Sequence, residues 1–301
     1  MISDTKVVAI GGGTGLSTML KGLKLHTHNI TAVVTVADDG GSSGILRSDL
    51  GMLAPGDVRN CVSALAEVDP VMGELLNFRF KDGSLKGHSL GNLFLAALNE
   101  TSSSFDEAVK KFSHLTGVVG TVYPVTNESV TLSALLEDGR LIEGESHIGV
   151  HHELMVNPEK PKAVDGVIKA LEKADIIVLG PGSLYTSIIP NLLVDGVVDA
   201  IKKSNAVKIY VCNIMSQAGE TENYTVSDHL AAIERHSYEG IADIVIANNA
   251  IIPESLRIKY ASEHAREVMI DSINVLKRAK LVQGNLLLVR SDKIRHNFSR
   301  L

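Results

Sequence analysis

The first forty residues constrain the fold more than any other part of the chain. Lys6-Val7-Val8-Ala9-Ile10 is a short aliphatic run halted by Gly11-Gly12-Gly13, after which Leu16, Met19, Leu20 and Leu23 recur at the spacing of one helical face. A second aliphatic run, Ile30 to Val36, stops at Asp38-Asp39-Gly40-Gly41. Strand, tight glycine turn, helix and strand in that order form a βαβ unit, which requires a parallel sheet with helices on its faces. The composition agrees: 45% of the 301 residues are hydrophobic, yet only 4% are aromatic and none is Trp. The apolar mass is aliphatic, as buried parallel strands need.

Helical patterns then run from Pro55 to about Leu115. Between residues 117 and 156 the period shortens, with alternating runs at Thr121-Val122-Tyr123, Ser129 to Leu136 and Leu141 to His147. Asp138-Gly139 between the last two is a hairpin signal. This predicts a β-rich antiparallel insertion at 117–156 on the main sheet, covering a sheet edge. Past Pro158 and Pro161 the α/β rhythm resumes, with strands at Asp175 to Leu179, Val207 to Val211 and Asp243 to Ala247. Helices are expected near Ala163 to Lys173, after Pro190, and near Val226 to Arg235. The expected fold is one Rossmann-like α/β domain over residues 1–301, a mostly parallel sheet flanked by helices with a small antiparallel insertion.

Several classes of function are excluded by charge and pattern. Twenty-nine Lys and Arg against 35 Asp and Glu leave a net charge of −6, so no basic surface or stack of aromatic platforms is available for nucleic acid. No run approaches the roughly 20 apolar residues of a membrane span, and residues 1–10 lack the pattern of a signal peptide. Two distant cysteines, Cys61 and Cys212, fit a reducing cytoplasm. His147, His151 and His152 have no Cys partner and no zinc spacing. The basic stretch Arg290 to Arg300 reads as a solvated terminus.

Ligands of open α/β sheets bind beyond the carboxyl ends of strands, where strand order reverses. Gly11-Gly12-Gly13-Thr14-Gly15 lies at such a place and opens a helix, so its backbone N–H groups can hold a phosphate. Without the G-x-G-x-x-G spacing or a P-loop lysine it names no nucleotide, and it also suits a tight packing turn. Asp38 and Asp39 end the second strand, where carboxylates meet ribose hydroxyls, hold Mg²⁺ or take a proton; a solvated turn accounts for them equally. Pro55-Gly56-Asp57-Val58-Arg59-Asn60 places an acid, a cation and an amide at a helix start, and Gly87-His88-Ser89-Leu90-Gly91-Asn92 sets His88 and Asn92 on one helix face. Gly180-Pro181-Gly182-Ser183-Leu184-Tyr185-Thr186-Ser187 is a second glycine-rich strand end with hydroxyls, and Asn213 follows a third strand. Gly182, Ser183, Thr186 and Asn213 are therefore further candidates for holding phosphate or sugar.

In the order Gly11 to Ser17, Thr35 to Gly44, Pro55 to Asn60, Gly87 to Asn92 and Gly180 to Ser187, the sequence resembles the gluconeogenesis factors, relatives of the 2-phospho-L-lactate transferases of deazaflavin cofactor synthesis. The resemblance implies a Rossmann-like fold, a cytoplasmic setting, binding of a UDP-sugar, and a role in cell shape and wall integrity on gluconeogenic carbon sources. It places Gly11 to Gly15, Gly182 and Ser183 at the nucleotide phosphates. It places Asp38, Asp39, Asp57, Arg59, His88 and Asn92, with Asn60 beside them, on the acceptor or metal side, where the related transferases use Mg²⁺. No reaction comes with the resemblance; if the chain is active, it is a phospho-group transferase with Asp38, Asp39 and Asp57 as catalytic candidates. The expected partners are a nucleotide-sugar and a second copy of the chain.

Overall fold

The computed structural model describes residues 3–135, 141–145 and 153–300. The chain opens with β1 (Val7–Gly11), α1 (Gly13–Leu23) and β2 (Ile30–Val34), the unit read from the sequence. All five residues of β1 are buried, as a central strand covered on both faces must be. Five helices follow: α2 (Gly41–Leu50), α3 (Gly56–Leu65), α4 (Pro70–Asn77), α5 (Leu90–Glu100) and α6 (Phe105–Leu115). Local chemistry sets their starts, with Asp69, Ser89 and Ser104 side chains accepting backbone N–H groups at the first turns of α4, α5 and α6. In α6, Phe105, Ala108, Val109 and Phe112 form one buried stripe.

Next come β3 (Thr121–Pro124), β4 (Thr131–Leu135), β5 (Leu141–Glu143) and β6 (Glu153–Asn157). The strands of 117–156 divide between two sheets, and only the later three are antiparallel. Thr121–Pro124 pairs in parallel with β2, Thr31 opposite Thr121, and so belongs to the main sheet. The remaining strands form a sheet of their own in the order β5-β4-β6, both pairs antiparallel. Asp138, Gly139, His147, His151 and His152 lie outside the described residues.

The second half comprises α7 (Asp165–Glu172), β7 (Ile176–Leu179), a π-helical turn (Leu184–Ile188) running into α8 (Ile189–Leu192), α9 (Val197–Lys203), β8 (Val207–Val211), α10 (Val226–Arg235) and β9 (Ile244–Asn248). Thr225 and Asp228 start α10 with a reciprocal capping box. The chain closes with α11 (Glu254–Ser262), α12 (Ser272–Val275), β10 (Lys280–Gly284) and the hairpin β11 (Leu287–Arg290) and β12 (Lys293–His296). The tail is not a solvated terminus: Gly22 of α1 lies against the backbone of Phe298, leaving no room for a side chain.

The main sheet has seven parallel strands in the order β10-β9-β8-β7-β1-β2-β3. From β1 the chain steps one way to β2 and β3, and from β7 the other way to β8, β9 and β10. Right-handed crossovers therefore put α1 and α3 on one face and α9 and α10 on the other. The direction reverses between β1 and β7, which pair from Val7–Ile176 to Ile10–Leu179. Both glycine-rich loops leave the sheet at this point.

Candidate functional site

The two loops touch. Gly15, on the first turn of α1, approaches the Pro181 carbonyl so closely that a Cβ there would lie 2.5 Å from its oxygen and 3.1 Å from Gly182 Cα. Gly12 caps α1 without a side chain, and a Cβ on it would lie 2.6 Å from Asp57 Oδ2. Behind the loops, buried Asn191 donates to the carbonyls of Gly11 at 3.2 Å and Ser187 at 2.7 Å, tying β1 to the π-turn. Gly11 is thus a strand residue whose carbonyl is already used, and the lining of the cavity begins at Gly12.

A cavity of about 320 Å³ opens over β1, β7 and β8, walled by Gly12 to Gly15, Gly182, Ser183 and Asn213. The sequence named all of these. It did not point to the opposite wall, where Tyr260 of α11 and Ile294, Arg295 and His296 of β12 close the cavity. Arg295 gives the cavity its cation; its guanidinium donates only to the Ile294 carbonyl, at 3.0 Å, and joins no ion pair among the described residues. His296 is buried and bonds the Cys212 carbonyl through Nε2 at 3.1 Å, which locks β12 against the end of β8. Burial holds its imidazole down at about 4, despite that bond. The signal for this wall was the tail's mixture of Ile294, Arg295 and His296, an apolar and cationic alternation rather than a charge run.

An acidic recess lies on the other side of the first loop, over β1 and β2. Asp57, on the first turn of α3, accepts the Gly13 backbone N–H, and burial together with the nearby Asp38 carboxylate raises it to about 6. Asp38 accepts from Gly40 N at 2.9 Å, and Arg47 of α2 pins the loop by donating to the carbonyls of Ala37, Asp38 and Val130. The insertion contributes Glu145, which the sequence reading passed over. It is pushed up to about 8 by burial first and then by Asp38, with Asp57 and Asp39 adding to the effect. Among the described residues no three His, Cys, Asp or Glu side chains cluster closely enough to hold a metal ion by themselves.

Arg59, His88 and Asn92 come together beneath the recess as a buried network and do not line the cavity. Arg59 Nε donates to Asn92 Oδ1 at 3.3 Å, Asn92 Nδ2 to Ser42 Oγ at 3.1 Å, and Ser42 Oγ pairs with His88 Nδ1 at 3.0 Å. Burial and the neighbouring Arg79 lower the guanidinium of Arg59. Asn60 is half-buried on α3. Thr186 stands between the two basins and donates to Ser183 Oγ at 2.6 Å. A second carboxyl overlooked in the sequence, Glu220, lies under this hydroxyl pair, accepts from Ser183 and is 5% exposed.

Fold and site together define a doubly wound α/β protein with a glycine-lined cavity at its topological switch point and an acidic recess beside it. The profile of the family described as 2-phospho-L-lactate transferase CofD matches residues 7–287. The gluconeogenesis factor of Bacillus subtilis is 44% identical over 97% of this chain and 94% of its own length, and that of Halalkalibacterium halodurans 45% identical over 98% and 94%. A crystal structure of a Bacillus halodurans protein superposes with a TM-score of 0.96 at 44% identity, covering 99% of this chain and 97% of that one. The chain belongs to the CofD family, among its gluconeogenesis factors. None of the described helices is long and apolar enough to cross a membrane.

Proposed function

We propose that the cavity binds the diphosphate of a nucleotide-linked sugar, a UDP-sugar in the first instance, and that the protein acts in the cytoplasm to support cell shape and wall integrity on gluconeogenic carbon sources. The observation that carries the binding reading is the meeting of two glycine-rich strand ends and Arg295 at one cavity. Backbone N–H groups and helix N-termini attract phosphate without formal charge, which a chain of net charge −6 needs. At about 320 Å³ the cavity is at the small end of ligand pockets and suits a diphosphate with part of its nucleoside. A neighbouring cavity of about 700 Å³ shares Met215 with it, offering room for the remainder of a two-part ligand. The physiological half of the reading draws on the name its relatives carry. Calorimetry with UDP-N-acetylglucosamine should give saturable binding that is lost in Gly13→Asp, which sets a carboxylate in the cradle; no binding by the unaltered protein would refute the reading.

The acidic recess favours a second reading, phospho-group transfer as in the family's description. An acceptor hydroxyl seated over Asp57 would attack the ligand's phosphorus and give its proton to that carboxylate. The phosphorus–oxygen bond to the nucleotide would break, and the nucleotide phosphate would leave into the cradle. Arg59, Asn60, His88 and Asn92 would hold the recess in shape. Nucleotide release that depends on an added acceptor and is abolished in Asp57→Asn is the required result; its absence with every acceptor tried leaves binding as the function.

A further inference from the structure

Helix α4 and the loop after it differ from the rest of the surface. Of the helix only Leu76 is buried. Val71, Met72, Leu75 and, just past its end, Phe78 are between 44% and 64% exposed. The spacing of Val71, Leu75 and Phe78 at i, i+4 and i+7 sets them in one stripe along the helix, with Met72 beside it. A contiguous apolar stripe left outside a folded chain marks an interaction surface.

The stripe is held rigidly. Asp69 caps α4 by accepting the Val71 N–H at 2.8 Å, and Asn77 accepts from Arg59 Nη1 at 2.9 Å. Gly91 of α5 lies so near the Leu76 carbonyl that a Cβ would come within 2.6 Å of its oxygen. Beyond the helix the chain folds back on itself, Phe80 N donating to the His88 carbonyl at 3.0 Å and Leu90 N to the Phe78 carbonyl at 2.9 Å. The Phe78 and Phe80 rings meet edge to face, 5.2 Å between centroids. Little conformational freedom is left to lose on association.

Charge is segregated along the same element. Between residues 67 and 86 the acids Glu67, Asp69 and Glu74 precede Leu75, whereas Arg79, Lys81 and Lys86 follow it with one further acid, Asp82. All seven are exposed, and none joins an ion pair among the described residues. Such a surface is complementary to itself turned end for end.

We propose that the stripe is the seat of a second copy of this chain, two α4 helices packing antiparallel across a two-fold axis near Leu75, the acidic flank of each copy against the basic flank of the other. A two-fold interface uses the same patch on both copies. The pairing that buries Val71, Met72, Leu75 and Phe78 twice over therefore also brings unlike charges together, whereas a parallel arrangement sets like against like. With eight residues, α4 is only about 12 Å long, so a contact centred on it is smaller than the roughly 1,600 Å² of a standard interface. The dimer is accordingly reversible at micromolar concentrations. It needs no ligand, and it meets the network beneath the acidic recess through Asn77 and Arg59.

Sedimentation velocity of the full chain, from micromolar to hundreds of micromolar, should show a reversible change from the mass of one chain to that of two. Leu75→Glu should raise the concentration of half-dimerisation about tenfold or more, as loss of a central apolar anchor does. Because the position is exposed, the melting temperature of this variant in dilute solution should match that of the unaltered monomer. The charge arrangement has its own readout. Glu67→Lys and Lys81→Glu each place like charges at both ends of a homodimer and should weaken association, whereas an equimolar mixture of the two variants has unlike charges at both ends and should dimerise as the unaltered chain does. This pair decides the question if Leu75→Glu does not fold. A chain that is monomeric throughout, a dimer indifferent to Leu75→Glu, or a mixture no better than its components would overturn the proposal. Unaltered protein that stays monomeric and floats with phosphatidylglycerol vesicles would also overturn it, assigning the stripe to a membrane surface.

Discussion

Replacing Gly15 with alanine tests the contact on which the cradle depends. The added Cβ would lie 2.5 Å from the Pro181 carbonyl oxygen and 2.8 Å from its carbon, whereas non-bonded heavy atoms settle at about 3.5 Å, so the loops must part by about 1 Å. Neither can yield easily. Both neighbours are backbone, and Gly180 N is held to the Ile10 carbonyl at 2.9 Å at the end of the β1–β7 pairing. Overpacking of this kind costs roughly 1–3 kcal/mol, which for a domain of this size lowers the melting temperature by roughly 2–10 °C. Gly41→Ala is the matched control: it also adds one methyl group, but into open space and at a φ of +46°, so its penalty is backbone strain of about 1 kcal/mol alone. Scanning fluorimetry should rank Gly15→Ala below Gly41→Ala, and calorimetry should find nucleotide-sugar binding weakened only in the former. Equal melting temperatures with unchanged affinity would mean that the loops are not in contact and that the cavity is not built as described.

Arg295→Ala removes the cavity's cation and should weaken nucleotide-sugar binding roughly 10- to 100-fold, the worth of a charge-assisted hydrogen bond, with little change in melting temperature; calorimetry measures both affinity and stoichiometry. Asn92→Leu leaves Arg59 Nε without its acceptor and takes from Ser42 Oγ one of its two partners, His88 remaining, and should destabilise the fold by about 1–3 kcal/mol in urea titrations. His296 is held neutral in the folded chain, near 4 against an ordinary 6.5, so its contribution is complete above about pH 6.5 and is lost as pH falls toward 4, by up to about 3 kcal/mol. In His296→Gln the fall in denaturation midpoint between pH 6.5 and 4 should be correspondingly shallower.

The aliphatic strands were legible because a strand buried on both faces has no polar alternative: β1, β2, β7, β8 and β9 lie within a residue or two of the aliphatic runs. The switch-point loops were legible for a related reason, since only glycines allow Gly15 and Pro181 to approach as they do. Thr121-Val122-Tyr123 was assigned to the insertion because its alternation is that of an edge strand, and β3 is indeed the edge of the main sheet. Sequence pattern reports a strand's exposure, not its partner. Glu145 and Glu220 carried no local signal at all. Their chemistry comes from burial against residues 37 to 107 positions away, between Glu145 and Asp38 in one case and Ser183 and Glu220 in the other. The far wall at Arg295 was hidden likewise, since β12 reaches the cavity only through the fold of the whole second half.

The pairing of β1 with β7 bears on the order in which the molecule assembles. Lys6 N bonds Asp175 Oδ2 at 2.8 Å across 169 residues of chain, and closing so long a loop is an entropic step that local structure cannot bypass. Any species in which the two halves have not yet met has half a cradle. A ligand of the cavity can therefore act only after that closure: it should slow unfolding and leave the refolding rate unchanged.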